Sequence, residues 1–97
     1  MVHEFAMIEV LPGKEADFEA GVRRAVPLFS RAKGFRGVKL HRVIEHPGRY
    51  HLEVEWDTLD DHLVHFRQSE DFQEWRRIVG PFFKQPPEVI HTDVVVE

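Results

Sequence analysis

The stretch "HPGRYHLEVEW", residues 46–56, has the clearest two-residue period in the chain and sets its architecture. Pro47 and Gly48 suit a type II turn, because proline fixes φ and glycine tolerates a positive φ. Beyond the turn, every second residue is apolar, as in a strand with one buried face: Tyr50, Leu52, Val54 and Trp56. The pattern predicts a hairpin of strands 35–46 and 49–57.

The segments before this hairpin predict a strand and then a helix. Residues 3–11 form a short apolar run that ends at Pro12-Gly13, which is typical of a strand. Residues 14–33 place apolar side chains along one helical stripe, at Phe18, Val22, Ala25, Val26 and Phe29. Gly34 follows this helix and is predicted to end it in the left-handed conformation.

A second helical region follows the hairpin, over residues 58–83. Thr58 and Asp61 have the spacing of a capping box, in which each side chain bonds the backbone of the other. Ser69 precedes acidic residues and is a candidate cap for a new helix. The region is therefore predicted to be two short helices, or one helix broken near Ser69.

Residues 88–97 are rich in valine and isoleucine and predict a last strand. The predicted order is strand, helix, strand, strand, helix, strand. In 97 residues this order indicates the α+β class and one domain over residues 1–97. The fold expected is a ferredoxin-like βαββαβ domain with a four-stranded antiparallel sheet.

In this plan both helices cover one face of the sheet and leave the other face open. The last predicted strand has apolar residues on both sides, with Val94 and Val96 opposite Val89 and Val95. Leaving such residues in water costs about 25 cal/mol per Å² of apolar area. We therefore expect a homodimer in which two sheets form one barrel. The alternative is a polar open face, built from Lys39, His41, His51, Glu53 and Glu55.

Composition excludes several classes of protein. The chain has no cysteine, which excludes disulfides and thiolate chemistry. Its net charge is −4 and it has no basic run, so we do not expect it to bind nucleic acid. No segment approaches the roughly 18 apolar residues of a membrane span. Residues 1–11 lack the basic leader of a signal peptide, and we expect a cytoplasmic protein.

Four stretches resemble the antibiotic biosynthesis monooxygenase family of small dimeric α+β barrels. They are "PGKEADFEA" at 12–20, "GF..VKLHRVIEHPGRYHLEVEW" at 34–56, "H...FRQSEDFQEWR" at 62–76 and "PPEVIHTDVV" at 86–95. The resemblance implies a dimer, with a pocket between the sheet and the helices of each protomer.

Some members of that family oxidise quinols or polyketide phenols with O₂ and no bound cofactor, since the anion of the substrate supplies the electrons. The resemblance therefore implies a cofactor-independent monooxygenase acting on a quinol or another electron-rich phenol. An alternative is a non-catalytic dimer that binds a small ligand or functions in a stress response. Haem-degrading members carry an asparagine in the first strand, which this chain lacks, so haem degradation is the least favoured.

Two histidines are candidate catalytic bases. His62 and His65 lie three residues apart, and neutral imidazole is suited to accept a phenolic proton near pH 7. The family often has a histidine in this helix, and the sequence leaves the choice between the two open. The structural alternative is one packed and one surface histidine. No metal site is expected, because the pair lacks an evident third ligand.

Aromatic residues of the second half are candidate walls for a flat substrate, although helical spacing also explains them as core. They are Trp56, Phe66, Phe72, Trp75 and Phe82. His91, in the last strand, is predicted to reach the pocket or the dimer interface. Arg67 and Arg76 have two interpretations: recognition of an anionic group, or salt bridges to Glu70, Asp71 and Glu74.

Overall fold

The computed structural model describes all 97 residues and confirms the predicted order of elements. The strands are β1 Val2–Glu9, β2 Phe35–Arg42, β3 Arg49–Trp56 and β4 Glu88–Thr92. The helices are α1 Glu15–Ser30 and α2 Glu70–Val79. A π-helical segment, Asp61–Phe66, precedes α2, and a 3₁₀ turn, Gly80–Phe82, follows it. None of the helices combines the length and hydrophobicity that crossing a membrane requires.

The four strands form one antiparallel sheet in the order β2-β3-β1-β4. Ala6 of β1 lies opposite Leu52 on β3 and Val89 on β4, so these three side chains form one row across the sheet. Both helices pack on this face, and their apolar residues join those of β1 and β3 in one core. The ferredoxin-like α+β fold predicted from the sequence is confirmed.

The predicted last strand was too long. β4 ends at Thr92, which pairs with His3, and β1 begins only one residue before His3. A continued strand would therefore find almost no partner backbone. Val94, Val95 and Val96 lie beyond the sheet and are 53%, 87% and 84% exposed. These valines do not belong to a strand, so the prediction that they lie on its two faces was wrong.

The open face of the sheet is mixed in character. Phe5 and Met7 are half-buried there, and Ile90, which pairs with Phe5, is 44% exposed. Beside them, Glu53 accepts hydrogen bonds from His3 and His41, at 3.4 and 3.1 Å. Each of the two sequence-based descriptions of this face therefore holds in part, and the homodimer remains a prediction.

Local signals in the sequence set the ends of the second helical region. The backbone N–H of Asp61 donates to Thr58 Oγ1 and that of Thr58 donates to Asp61 Oδ2, both at 3.2 Å. Ser69 Oγ accepts from the N–H of Phe72 at 3.2 Å, as an N-cap does. Both predicted caps are confirmed, and the region is two short helices.

Gly34 joins α1 to β2 with φ +80°, a conformation that costs other residues about 1–2 kcal/mol. A Cβ on Gly34 would overlap the Asp61 carboxylate, which is itself part of the capping box. Gly34→Ala is therefore expected to lower the free energy of unfolding by about 2–3 kcal/mol, measured by urea denaturation.

Gly80→Ala is the matched control for this substitution. Gly80 has an ordinary helical φ of −54°, and nothing lies within 4 Å of the Cβ that the substitution would add. We expect its stability to stay within about 0.5–1 kcal/mol of the wild type. Equal losses in the two variants would contradict the role given to Gly34.

Candidate functional site

A cavity of about 790 Å³ lies between the covered face of the sheet and the second helical region. Its floor comes from β1, β3 and β4, and its sides from the π-helical segment, α2 and residues 83–87. The volume is within the range of about 300–1,000 Å³ common for small-molecule sites. The aromatic residues in its wall are Phe29, Phe66, Phe72, Trp75 and Phe83.

Three of the five aromatic residues predicted to hold a substrate line this cavity: Phe66, Phe72 and Trp75. Trp56 is fully buried behind the wall, and its indole stacks on the His62 ring at 5.6 Å with an interplanar angle of 16°. Phe82 does not reach the cavity, whereas its neighbour Phe83 does. A turn of the 3₁₀ type places these two neighbours on different sides, which helical periodicity does not reveal.

The structure separates the two candidate histidines. His62 is 2% exposed and lines the cavity, while His65 is exposed and lies outside it. Both belong to the π-helical segment, in which the N–H of Arg67 donates to the carbonyl of His62 at 2.9 Å. Segments of this kind often occur at functional sites. The geometry therefore leaves His62 as the candidate and gives His65 no access to the cavity.

Sequence reasoning missed a buried carboxyl group in β1. Glu4 is 5% exposed and lines the cavity. Its Oε1 accepts a hydrogen bond from Trp56 Nε1 at 3.0 Å and lies 3.3 Å from His62 Nε2. A signal was available, since Glu4 alternates with Ala6 and Ile8 and therefore had to face the core.

The environment moves the pKa values of these two groups in opposite directions. Burial raises the pKa of Glu4 to about 7, against the opposing effects of the Trp56 hydrogen bond and the Arg67 charge. Burial lowers the pKa of His62 to about 4, and the charges of His91 and Arg67 add to this shift. At neutral pH the 3.3 Å contact thus joins a neutral imidazole to a carboxyl group close to its titration midpoint.

His91 extends the pair into a chain of three titratable groups. His62 Nδ1 and His91 Nε2 lie 2.8 Å apart, so one of the two nitrogens donates to the other. His91 sits on the edge strand β4 and is half-buried. The three groups, Glu4, His62 and His91, form a series that runs from the cavity wall toward the surface. It can accept a proton at Glu4 and is arranged to pass one along through a change of histidine tautomer.

The opposing pKa shifts predict two contributions to the pH dependence of stability that have opposite signs. From pH 4.5 to about 7 the folded chain holds more protons at Glu4 than the unfolded chain, so this group makes stability fall as pH rises. From about pH 4 to 6.5 His62 does the reverse. His91, whose pKa burial also lowers, acts in the same direction as His62. In the wild type the opposing effects offset each other.

His62→Phe removes one side of this balance. Because the contribution of His62 rises with pH, its loss should lower the free energy of unfolding, relative to wild type, by on the order of 3 kcal/mol between about pH 4 and 6.5. For Glu4→Gln we expect the opposite slope, with relative stability rising between pH 4.5 and about 7. Urea denaturation across this range measures both. Parallel pH profiles for the two variants and the wild type would contradict the assigned shifts.

A second cluster of titratable groups lies on the open face. Ligand atoms of His3, Glu53 and Glu55 are within 4.8 Å of one another, close enough to hold a metal ion. However, Glu53 already bonds both His3 and His41, so two of the three groups have partners within the chain. His3, His41 and Glu53 thus form a network of hydrogen bonds across three strands.

Comparison with known proteins decides the family. The family model described as antibiotic biosynthesis monooxygenase matches residues 1–78. The chain belongs to the antibiotic biosynthesis monooxygenase family. The matched region includes β1 with Glu4, the hairpin, and the π-helical segment with His62, and it ends within α2. The resemblance seen in the sequence is thus confirmed.

Individual relatives agree with this assignment. The chain is 40% identical over 91 residues to the uncharacterized protein YczJ of Bacillus subtilis (strain 168), covering 94% of the chain and 96% of YczJ. A crystal structure from Bordetella bronchiseptica, of a protein named for the same family, is 59% identical and superimposes with a TM-score of 0.96 over 98% and 97% of the two chains.

A structure of that family name from Caulobacter crescentus CB15 is 22% identical, with a TM-score of 0.84 over 98% and 90% of the chains. At that identity the likeness shows a shared fold alone. The same backbone is thus compatible with very different side chains, and the fold alone does not determine the reaction.

Proposed function

We propose that the chain is a monooxygenase that oxidises an electron-rich phenol, such as a quinol, with O₂ and no bound cofactor. The observation that carries this proposal is the Glu4–His62 pair in the wall of an aromatic-lined cavity. Family membership supports the reaction class. The choice of a phenol rests on the aromatic walls and on a proton acceptor placed beside them.

The first step is removal of a phenolic proton. Phe66, Phe72 and Trp75 offer faces against which an aromatic ring can pack. Glu4, with a pKa of about 7, is partly ionised at neutral pH and is basic enough to accept the proton. His62 is a weaker base, since its pKa is about 4, and its role is to hold the carboxylate and pass the proton toward His91.

The second step uses the electrons of the phenolate. One electron passes to O₂, and the resulting pair of radicals combines to form a carbon–oxygen bond in a hydroperoxide. Loss of the ring proton and cleavage of the O–O bond release water and leave a new carbonyl group. For a quinol the balance is quinol plus O₂ to hydroxyquinone plus water. Because the substrate loses four electrons, no external reductant is required.

The proposal includes a homodimer joined through the open sheet faces. Phe5, Met7 and Ile90 would form the apolar centre of that contact, with the His3–Glu53–His41 network at its side. Burial of this strip would also protect β1 and β4 from solvent. Sedimentation or light scattering should give the mass of two chains, and a monomer at micromolar concentration would contradict this part of the proposal.

Oxygen uptake with a panel of hydroquinones tests the reaction. Wild-type protein treated with a chelator should consume O₂ above the rate of autoxidation. His62→Ala should lose most of this activity, whereas His65→Ala should keep it, because His65 lies outside the cavity. Ligand binding without O₂ uptake would favour the non-catalytic alternative. An equal rate in the wild type and His62→Ala would contradict the assigned site.

A further inference from the structure

Three cationic side chains line the cavity: Arg67, Arg76 and Lys84. None of them takes part in a salt bridge of the chain. The only carboxyl group in the wall is Glu4, which lies at the buried end and does not neutralise them. The site is thus lined by more positive charge than negative charge, although the whole chain carries −4.

The alternative explanation for the arginines was wrong. Asp71, a predicted partner, is bound by Arg31 through two hydrogen bonds of 2.6 and 2.8 Å. Glu74, another predicted partner, is bound by Arg77. The third, Glu70, forms no salt bridge with either arginine. Asp71 and Glu74 therefore have other partners, and Arg67 and Arg76 form no salt bridge beside the cavity.

The two arginines lie beside different groups of the cavity wall. The Arg76 guanidinium carbon lies 6.0 Å from the centroid of Phe72, a wall residue. Arg67 follows the π-helical segment directly, and its charge influences Glu4, His62 and His91. A guanidinium group presents paired N–H donors that match the two oxygens of a carboxylate.

We infer that the cavity selects an aromatic acid: a phenol whose ring packs on Phe72 and Trp75 while its carboxylate binds Arg67 and Arg76. This inference rests on the proposed function for the phenol and adds the carboxylate. The ring hydroxyl would then point toward Glu4 at the buried end. Negative charge on the ligand would be held at the mouth, where the arginines are exposed and solvent is close.

A matched pair of probes tests the carboxylate directly. Hydroquinone and 2,5-dihydroxybenzoate share a ring and differ in one carboxylate, and calorimetry without oxygen gives the Kd of each. A charge-assisted hydrogen bond of about 1.5–3 kcal/mol predicts that the acid binds about 10- to 100-fold more tightly. Higher ionic strength should reduce this preference.

Variants then locate the effect. Arg67→Gln/Arg76→Gln should bind the two probes with nearly equal Kd. Arg23→Gln/Arg24→Gln removes the same charge from α1, away from the cavity, and should keep the preference for the acid. Equal affinity of the wild type for both probes, or a preference that survives Arg67→Gln/Arg76→Gln, would overturn the inference.

The two proposals fail in distinguishable ways. If the carboxylate gives no advantage but hydroquinone still supports oxygen uptake that depends on His62, the inference is wrong and the proposed function stands. If neither probe binds, both are contradicted. An anionic ligand that binds through the arginines without any oxygen uptake would support the recognition of the acid and contradict the reaction.

Discussion

Glu4→Gln is expected to lower kcat/KM for oxygen-dependent oxidation of a hydroquinone by about 100- to 10,000-fold, the usual contribution of a positioned base. Glutamine keeps the size of the side chain and an oxygen that can accept from Trp56 Nε1, so the local packing should survive. What it removes is the capacity to accept a proton. Initial rates from an oxygen electrode, corrected for autoxidation, measure the effect.

The pH profile adds a second readout of the same substitution. In the wild type, log kcat/KM should rise with pH and level off above about pH 7, because the reaction requires the ionised form of Glu4. The residual activity of Glu4→Gln should lack this inflection. Glu45→Gln, an exposed residue of the hairpin turn, is the control and should match the wild type. Retention of full activity by Glu4→Gln would contradict the assignment of the base.

Trp56→Ala is expected to cause the largest loss of stability, about 3–5 kcal/mol, which is typical of removing a buried tryptophan. Trp56 is fully buried and its ring contacts those of Phe35, Phe66 and His62. The substitution leaves a void and also removes the hydrogen-bond donor to Glu4. Urea denaturation at pH 7 gives the change in the free energy of unfolding.

Trp56→Phe separates these two causes. It keeps most of the ring volume and removes the indole N–H, so we expect a smaller loss of about 1–3 kcal/mol. Because the Trp56 hydrogen bond lowers the pKa of Glu4, its removal should shift the inflection of the pH–rate profile upward. An unchanged inflection, or a loss of stability equal to that of Trp56→Ala, would contradict the link between Trp56 and Glu4.

Elements governed by local patterns could be predicted from the sequence. The two-residue period of β3 and the caps at Thr58 and Ser69 depend on neighbouring residues, and the structure confirms them. The end of β4 depends instead on where β1 begins, far away in the chain. The π-helical form of Asp61–Phe66 also has no distinct signature, since an α-helix would present similar spacing.

The same distinction applies to the candidate site. His62 was predicted as a candidate, together with His65, because neutral imidazole can accept a phenolic proton and the family often has a histidine in this helix. Glu4 was missed, although strand alternation placed it in the core. Its role in the site depends on contacts with a tryptophan and a histidine more than fifty residues away. The absence of salt bridges at Arg67 and Arg76 could not be predicted either, because Asp71 is instead bound by Arg31 of α1.

The most direct test of the proposed reaction is to follow the two oxygen atoms of O₂ into the products. Wild-type protein should be supplied with a hydroquinone and ¹⁸O₂, and the product analysed at once by mass spectrometry. We predict a hydroxylated quinone that carries one labelled oxygen atom, with the second in water and no accumulation of hydrogen peroxide. An unlabelled quinone with stoichiometric hydrogen peroxide would show simple two-electron oxidation and contradict the proposed monooxygenase.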